Sequence, residues 1–324
     1  MSLTVADLFA SPDHYLHSFA DGAAVFVPMD REAYRRSVFL DDRISTAAAG
    51  SMRVPLGMLA GQVPAPPRTG WIFHVAHCGS TLLANALDAL GSNLVLREPL
   101  ALRQLAVSDP LNPDVLAIEL AMLGKGYDSG AATVVKANVP VNFVIDAIAA
   151  HGAKAPAIML YLGLEDYLCA ILRSDNHRAW LRGVSDQLAH HLGPAGNRSD
   201  AELAAALWLA QVVRFAAALG AMPEARSLDA EEFYANPSDT LAATARRFGG
   251  SADEAAIAGV IGGPVFQTYS KRPGVVFSNA DRLKRLEATR AALGGELNEA
   301  RRWLDAAGQD ADSLEAQLKD FALV

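Results

Sequence analysis

Phe73-His74-Val75-Ala76-His77-Cys78-Gly79-Ser80-Thr81-Leu82-Leu83 is the stretch whose reading decides the fold. The apolar run Trp71 to Ala76 has β character. Leu82, Leu83, Ala86, Leu87 and Leu90 then recur at helical spacing until Gly91. The reading is a strand, a tight loop and the start of a helix. Main-chain N–H groups at a helix N-terminus, together with the helix dipole, favour an anion there. Ser80 and Thr81 add hydroxyl donors, and Gly79 lets the backbone approach a phosphate closely. The triphosphate-binding version of such a loop is G-x-x-x-x-G-K-[ST]. Here His74 stands in place of the first Gly and Ser80 in place of the Lys, so that pattern fails where a triphosphate needs it. A plain strand–loop–helix with a serine cap would read the same way without any ligand.

Outward from the loop, short apolar runs alternate with helices. Asn93 to Leu96, Thr133 to Val135, Ala157 to Leu162 and Arg226 to Leu228 read as further strands. Helices follow at about Pro140 to Ala150 and Glu165 to Leu172. This alternation implies a parallel sheet covered on both faces. Residues 176–220 read as helix without strand, a lid or acceptor-side insertion. Beyond Asn236 helices dominate, ending in the charged stretch Asp281 to Phe321. There Arg282, Lys284, Arg285, Arg290, Arg301 and Arg302 alternate with acidic residues, as on a solvated helix face or a homodimer contact. Residues 1–68 form an N-terminal extension, with an apolar run Ala23 to Val27 and the segment Phe39-Leu40-Asp41-Asp42-Arg43. Pro64-Ala65-Pro66-Pro67 reads as a stiff linker into the main unit. The expected units are therefore 1–68, 69–280 and 281–324.

Composition excludes several classes. Of 324 residues 51% are hydrophobic, too many for a disordered chain. A net charge of −8 argues against a general nucleic-acid binder. Cys78 and Cys169 cannot make a disulfide framework, which points to a reduced, cytoplasmic compartment. Met1 to Ala10 has no signal-peptide pattern. Leu203 to Met222 is interrupted by Gln211 and Arg214, so it reads as a buried helix and no membrane partner is expected. His74 and His77 at a strand end point to opposite faces, so no metal is expected there. Cys78 beside a helix N-terminus is expected to have a lowered thiol pKa.

The run His77-Cys78-Gly79-Ser80-Thr81-Leu82-Leu83 resembles the 5′-phosphosulfate loop of sulfotransferases that use 3′-phosphoadenosine 5′-phosphosulfate (PAPS), whose pattern is basic-S-G-[ST]-T-x-[LM]. Leu96-Arg97-Glu98-Pro99 resembles the segment after that loop in bacterial and protein-tyrosine sulfotransferases, where it supplies a glutamate base. The resemblance spans about residues 71–175, with an echo from Ser227-Leu228-Asp229 to Phe248. The N-terminal extension resembles that of uncharacterised bacterial sulfotransferase-like proteins.

The resemblance implies a P-loop NTPase-like three-layer α/β fold, with a central, mostly parallel sheet, a helical insertion and a helical C-terminal region. It implies sulfuryl transfer from PAPS to a hydroxyl or amine of a small-molecule or peptide acceptor, without a metal. The loop from His77 through Cys78, Gly79, Ser80 and Thr81 to Leu82 would hold the 5′-phosphosulfate. His77 and Lys136 would stabilise the transferring group, and a protonated His77 would make the reaction pH-sensitive. Glu98, just past a strand end, would accept the acceptor's proton. Asn138 and Asn142 would position the acceptor or cap the helix begun by Pro140, and Trp180 would pack between helices or line the acceptor pocket. The family's 3′-phosphate Arg falls on Leu162 or Gly163 here, and its Ser on Cys169 or Ala170. Another cation must then serve, and Arg173, Lys271 and Arg272 are the candidates. Small-molecule phosphotransfer and a non-catalytic binding role are the alternative readings.

Overall fold

The computed structural model describes residues 3–127, 130–152, 155–250, 253–270 and 272–324. Three antiparallel strands come first: β1 (His14–Ala20), β2 (Ala23–Pro28) and β3 (Met52–Pro55), in the order β1-β2-β3. The central sheet follows with β4 (Thr69–His74), β5 (Val95–Arg97), β6 (Thr133–Lys136), β7 (Ala157–Tyr161) and β8 (Ala225–Asp229). Its order is β5-β6-β4-β7-β8, with every neighbouring pair parallel. Every residue of β4, β5, β6 and β7 is buried, as a sheet covered by helices on both faces requires. The result is a P-loop-like three-layer α/β fold.

The strand order reverses beside β4, and ligands of open α/β sheets bind beyond the carboxyl ends of strands at such a point. Register decides which side chains meet there. Ile72 of β4 and Arg97 of β5 both pair with Lys136 of β6. The last residue of β6 therefore lies between the ends of its two neighbours.

Local structure departs from the sequence reading in several places. The strand expected at Asn93 to Leu96 is shifted to Val95–Arg97, because Asn93 spends its amide on Ala132 O (2.7 Å) and Phe248 O (3.2 Å). The helix expected from Pro140 begins as a 3₁₀ segment, Val139–Val144, and becomes α-helical at Ile145–His151. A small hairpin, β9 (Thr268–Tyr269) with β10 (Arg272–Val276), interrupts the helical C-terminal region.

The charged C-terminal stretch presents an exposed charged face, as expected, and packs its apolar side on the body. It forms helices Asn279–Ala292, Gly294–Ala306 and Ala311–Lys319, with Leu297, Ala300, Leu304, Leu314 and Leu318 buried against the body. Its arginines find partners within the same chain. Arg282 grips Glu231 with two bonds of 2.6 Å, Arg290 pairs with Glu165 and Asp166, and Arg301 pairs with Glu165. The last residues run along β8, where Leu323 N–H donates to Ser227 O.

The N-terminal unit is likewise seated on the body. Leu16, Phe26, Val54 and Leu59 pack with Ala101, Ile118 and Met122 of helices Leu100–Ala106 and Pro113–Leu123. Gln104 pairs with both the N–H and the carbonyl of Phe19, and Lys125 donates to the carbonyls of Leu8 and His14. The 22-residue helix Asp200–Ala221 is long and apolar enough to cross a membrane, but it packs as a core helix, with Trp208 and Phe215 buried.

At Gly70 in β4, a Cβ would lie 2.5 Å from the fully buried Phe248 ring. Gly70→Ala is expected to lower the unfolding free energy by about 1–3 kcal/mol through overpacking. A urea melt that leaves the midpoint unchanged would contradict this packing.

Candidate active site

The loop after β4 is built by two left-handed residues in succession of three. His77 has φ 60° and Gly79 φ 86°. Glycine accepts this conformation freely, whereas histidine does not. Apart from Asp21, the other non-glycine residue with positive φ among the described residues is Glu98, at 54°. Such residues cost of order 1–3 kcal/mol each and gather at functional sites. Here two of the three are candidate functional residues.

The turn delivers the chain into the helix Ser80–Leu90, whose ladder begins with Leu83 N–H donating to Gly79 O at 3.1 Å. The N–H groups of the first turn lie ahead of that ladder, which is the arrangement an anion uses. Gly79 is needed for a second reason: a Cβ would sit 2.6 Å from the Tyr234 hydroxyl. The His77 ring lies 4.2 Å from that of His177 and 5.7 Å from Trp180, so the helical insertion meets the loop.

Cys78 does not behave as the sequence suggested. Its thiol donates to Val75 O at 2.8 Å, and burial pushes it up from an ordinary 9.0 to about 11. The neutral thiol is favoured, so Cys78 is a loop brace and not a nucleophile.

The second part of the site joins three strand ends. Lys136 is fully buried, and its ammonium pairs with the Glu98 carboxylate. Lys136 Nζ also lies 3.1 Å from His74 Nε2. His74 Nδ1 is 2.8 Å from Val75 O. A carbonyl only accepts, so Nδ1 carries the proton, and the Nε2 lone pair faces the ammonium. Glu98, Lys136 and His74 thus form one row across β5, β6 and β4. The sequence reading weighed His74 only as a metal ligand, and its lone clue was a histidine ending the central strand. The lysine is enclosed. Asn142 is buried too, donating to His74 O (3.0 Å) and Gln211 Oε1 (2.8 Å), so it braces the end of β4 against the helix Asp200–Ala221. Asn138 precedes the 3₁₀ segment and makes no side-chain cap bond.

A third group lies toward the hairpin and the helix Asn279–Ala292. Arg173 follows the helix Leu164–Leu172, and its Nε donates to His177 Nδ1 at 3.0 Å. Burial lowers its pKa, with Tyr269 and Tyr234 opposing and the Arg285 charge adding. Arg285 sits over the Tyr269 ring at 5.4 Å, and Arg282 over Tyr234 at 4.1 Å. Tyr234 is the residue whose hydroxyl faces Gly79, so this group adjoins the loop. Arg285 is exposed on its helix, as the charged pattern suggested, and its contact with the Tyr269 ring was not legible in the sequence. Arg178 and Arg182 are already committed to Asp200 and Glu296. Lys271 lies outside the described residues, and so does the side chain of Arg272, whose backbone pairs with Tyr269. A cavity of 460 Å³ lined by Pro66, Trp71, Leu120 and Ile148 opens at the other end of the strands, where β4 begins.

No protein-family model matches the chain, and no curated protein is similar to it. Ten solved chains are similar to it, and two of them show the level of likeness. One is the sulfotransferase domain from the curacin biosynthetic pathway, at 12% identity over 75% of this chain and 98% of that one, with a TM-score of 0.44. The other is the sulfotransferase from Alicyclobacillus acidocaldarius, at 14% identity over 78% of this chain and 100% of that one, with a TM-score of 0.39. Likeness at this level bears on no residue of the site.

Two outcomes are expected. Glu98→Ala leaves a buried ammonium without its counter-charge and should cost about 3 kcal/mol, whereas Glu98→Gln keeps an acceptor and should cost less; equal denaturation midpoints would contradict the pairing. Cys78 should resist iodoacetamide in the folded protein at neutral pH. Because its folded pKa lies above its unfolded one, its contribution to stability is full below pH 9 and is lost as pH rises from about 9 toward 11.

Proposed function

We propose that the protein transfers a sulfuryl group from PAPS to a hydroxyl or amine. The observation that carries this reading is the fully buried Lys136 paired with a partly exposed Glu98 at the strand ends, beside a left-handed, helix-opening loop. The loop from His77 to Leu82 suits the 5′-phosphosulfate: it offers first-turn N–H groups, the hydroxyls of Ser80 and Thr81, and no side chain at Gly79. His77 contributes a ring at the loop's first position.

Sulfuryl transfer has a loose, in-line transition state, so positioning and electrostatics do most of the work. The acceptor oxygen or nitrogen bonds to sulfur while the bond from sulfur to the 5′-phosphate oxygen breaks. The acceptor's proton goes to Glu98. Protonation neutralises that carboxylate and loosens its hold on Lys136, whose ammonium then serves the charge growing on the departing phosphate. His74 keeps the lysine at the strand ends throughout, because its accepting nitrogen is fixed by the bond from Nδ1 to Val75. Proton acceptance and leaving-group stabilisation are coupled through one ion pair.

The adenosine end is supplied differently from the family pattern. Arg173 and Arg285, with Tyr234 and Tyr269 beside them, suit a second anionic group and replace the absent Arg and Ser. Lys271 and Arg272 follow Tyr269 directly in sequence and would add charge on the same side.

Calorimetric titration should show binding of adenosine 3′,5′-bisphosphate in preference to ATP with Mg²⁺. Arg173→Met should weaken the bisphosphate at least tenfold while changing AMP affinity less than threefold. Preference for ATP, or equal loss of both ligands in the variant, would contradict the assignment.

A further inference from the structure

The main chain of Leu40, in the N-terminal unit, brackets the turn that carries Glu98. Its N–H donates to Arg97 O at 2.7 Å, and its carbonyl accepts from Leu100 N–H at 3.1 Å. Glu98 and Pro99 are the two residues between these bonds. On the inner side, Glu98 N–H donates to Lys136 O at 2.8 Å. The turn is thus held from both sides at the point where Glu98 adopts its left-handed backbone. A residue in that conformation persists only where its surroundings over-determine it.

Leu40 is itself held by Arg97. The Arg97 side chain is buried, and its guanidinium donates to the carbonyls of Tyr34, Arg35 (3.1 Å) and Ser37 (2.9 Å). Asp88, at 3.0 Å, supplies its counter-charge. One residue therefore fastens the segment with its side chain and receives it with its carbonyl. Phe39 completes the enclosure. It is buried, and its ring centre lies 5.5 Å from Lys136 Nζ and 4.4 Å from the Arg43 guanidinium.

We propose that residues 37–43 belong to the active centre as a positioning element: the Leu40 main chain fixes the Glu98 turn, the Phe39 ring closes the outer side of the Lys136–Glu98 pair, and Arg97 holds both in place. The inference rests on Glu98 being the proton acceptor. A displacement of about 1 Å in a reacting group can cost on the order of a hundredfold in rate, so the hold on this turn bears directly on turnover.

The test uses Arg97→Lys, Phe39→Ala and Phe39→Leu in the full chain, with Arg53→Ala as control. Arg53 ties Asp21 and Ala20 in the same N-terminal unit, remote from this turn. Two properties are read: amide hydrogen exchange at Leu100 and Glu98, and release of sulfate from PAPS to water, which requires no acceptor to be known. In Arg97→Lys, exchange at these amides should rise at least tenfold and sulfate release should fall at least tenfold. The affinity for adenosine 3′,5′-bisphosphate should stay within twofold. Phe39→Ala should slow release similarly, Phe39→Leu should recover most of it, and Arg53→Ala should change neither property. Unchanged exchange in Arg97→Lys, or faster exchange with undiminished release, overturns the proposal. So does a loss in Phe39→Ala that Phe39→Leu does not recover. If the wild-type protein does not bind the bisphosphate, it is the transfer reading that falls, and exchange at Leu100 still decides whether Arg97 holds this turn.

Discussion

A fully buried ammonium sets the terms for this structure. Lys136 ends an apolar strand in the middle of the sheet, where an isolated charge would cost several kcal/mol. Two partners make its place tenable: the Glu98 carboxylate and the accepting nitrogen of His74. Each comes from a neighbouring strand, so the pair depends on the register of β5, β6 and β4. A slip of one residue in either ladder would turn Lys136 to the other face and strand the charge. The requirement runs outward as well, because Asn142 braces the end of β4 and the Val75 carbonyl fixes the His74 tautomer.

Enclosure of Lys136 is completed by chain from outside the central sheet. Phe39 covers it, and Leu40 brackets the Glu98 turn. The N-terminal unit owes its position to polar bonds from Arg97, Gln104 and Lys125 and to the apolar contacts of Leu16, Phe26 and Val54. The left-handed backbone at His77 and Glu98 sits at the two edges of this arrangement, one in the loop and one in the turn. Strain of this kind is held by rigid surroundings, and both residues have them.

The other end of the site is assembled from the C-terminal half. Arg282 clamps Glu231, and the helix that bears it brings Arg285 toward Arg173 and the two tyrosines. Arg290 and Arg301 dock the same helices onto Glu165 and Asp166. These ion pairs are half-exposed and individually weak. Their effect is to orient the C-terminal helices, whose buried leucines supply the larger stabilisation.

The alternation of short apolar runs with helices was sufficient to specify a parallel sheet with the loop at the end of its first strand, because fully buried strands need no partner information to be apolar throughout. Glu98 and Lys136 were legible as strand-end residues, and the loop from His77 to Leu82 as a turn into a helix. What sequence could not specify was who meets whom. His74 accepting from Lys136, Leu40 bonding across Glu98, and Arg285 approaching Arg173 join residues separated by 62, 58 and 112 positions in the chain. Nor could it foresee that the Cys78 thiol would be raised and not lowered, since burial outweighs the Ser80 hydrogen bonds and the Lys136 charge that favour the thiolate. Local composition fixes which segments become strands, helices and turns; the desolvation of a charge, and the partner that makes it bearable, exist only once distant segments have packed together.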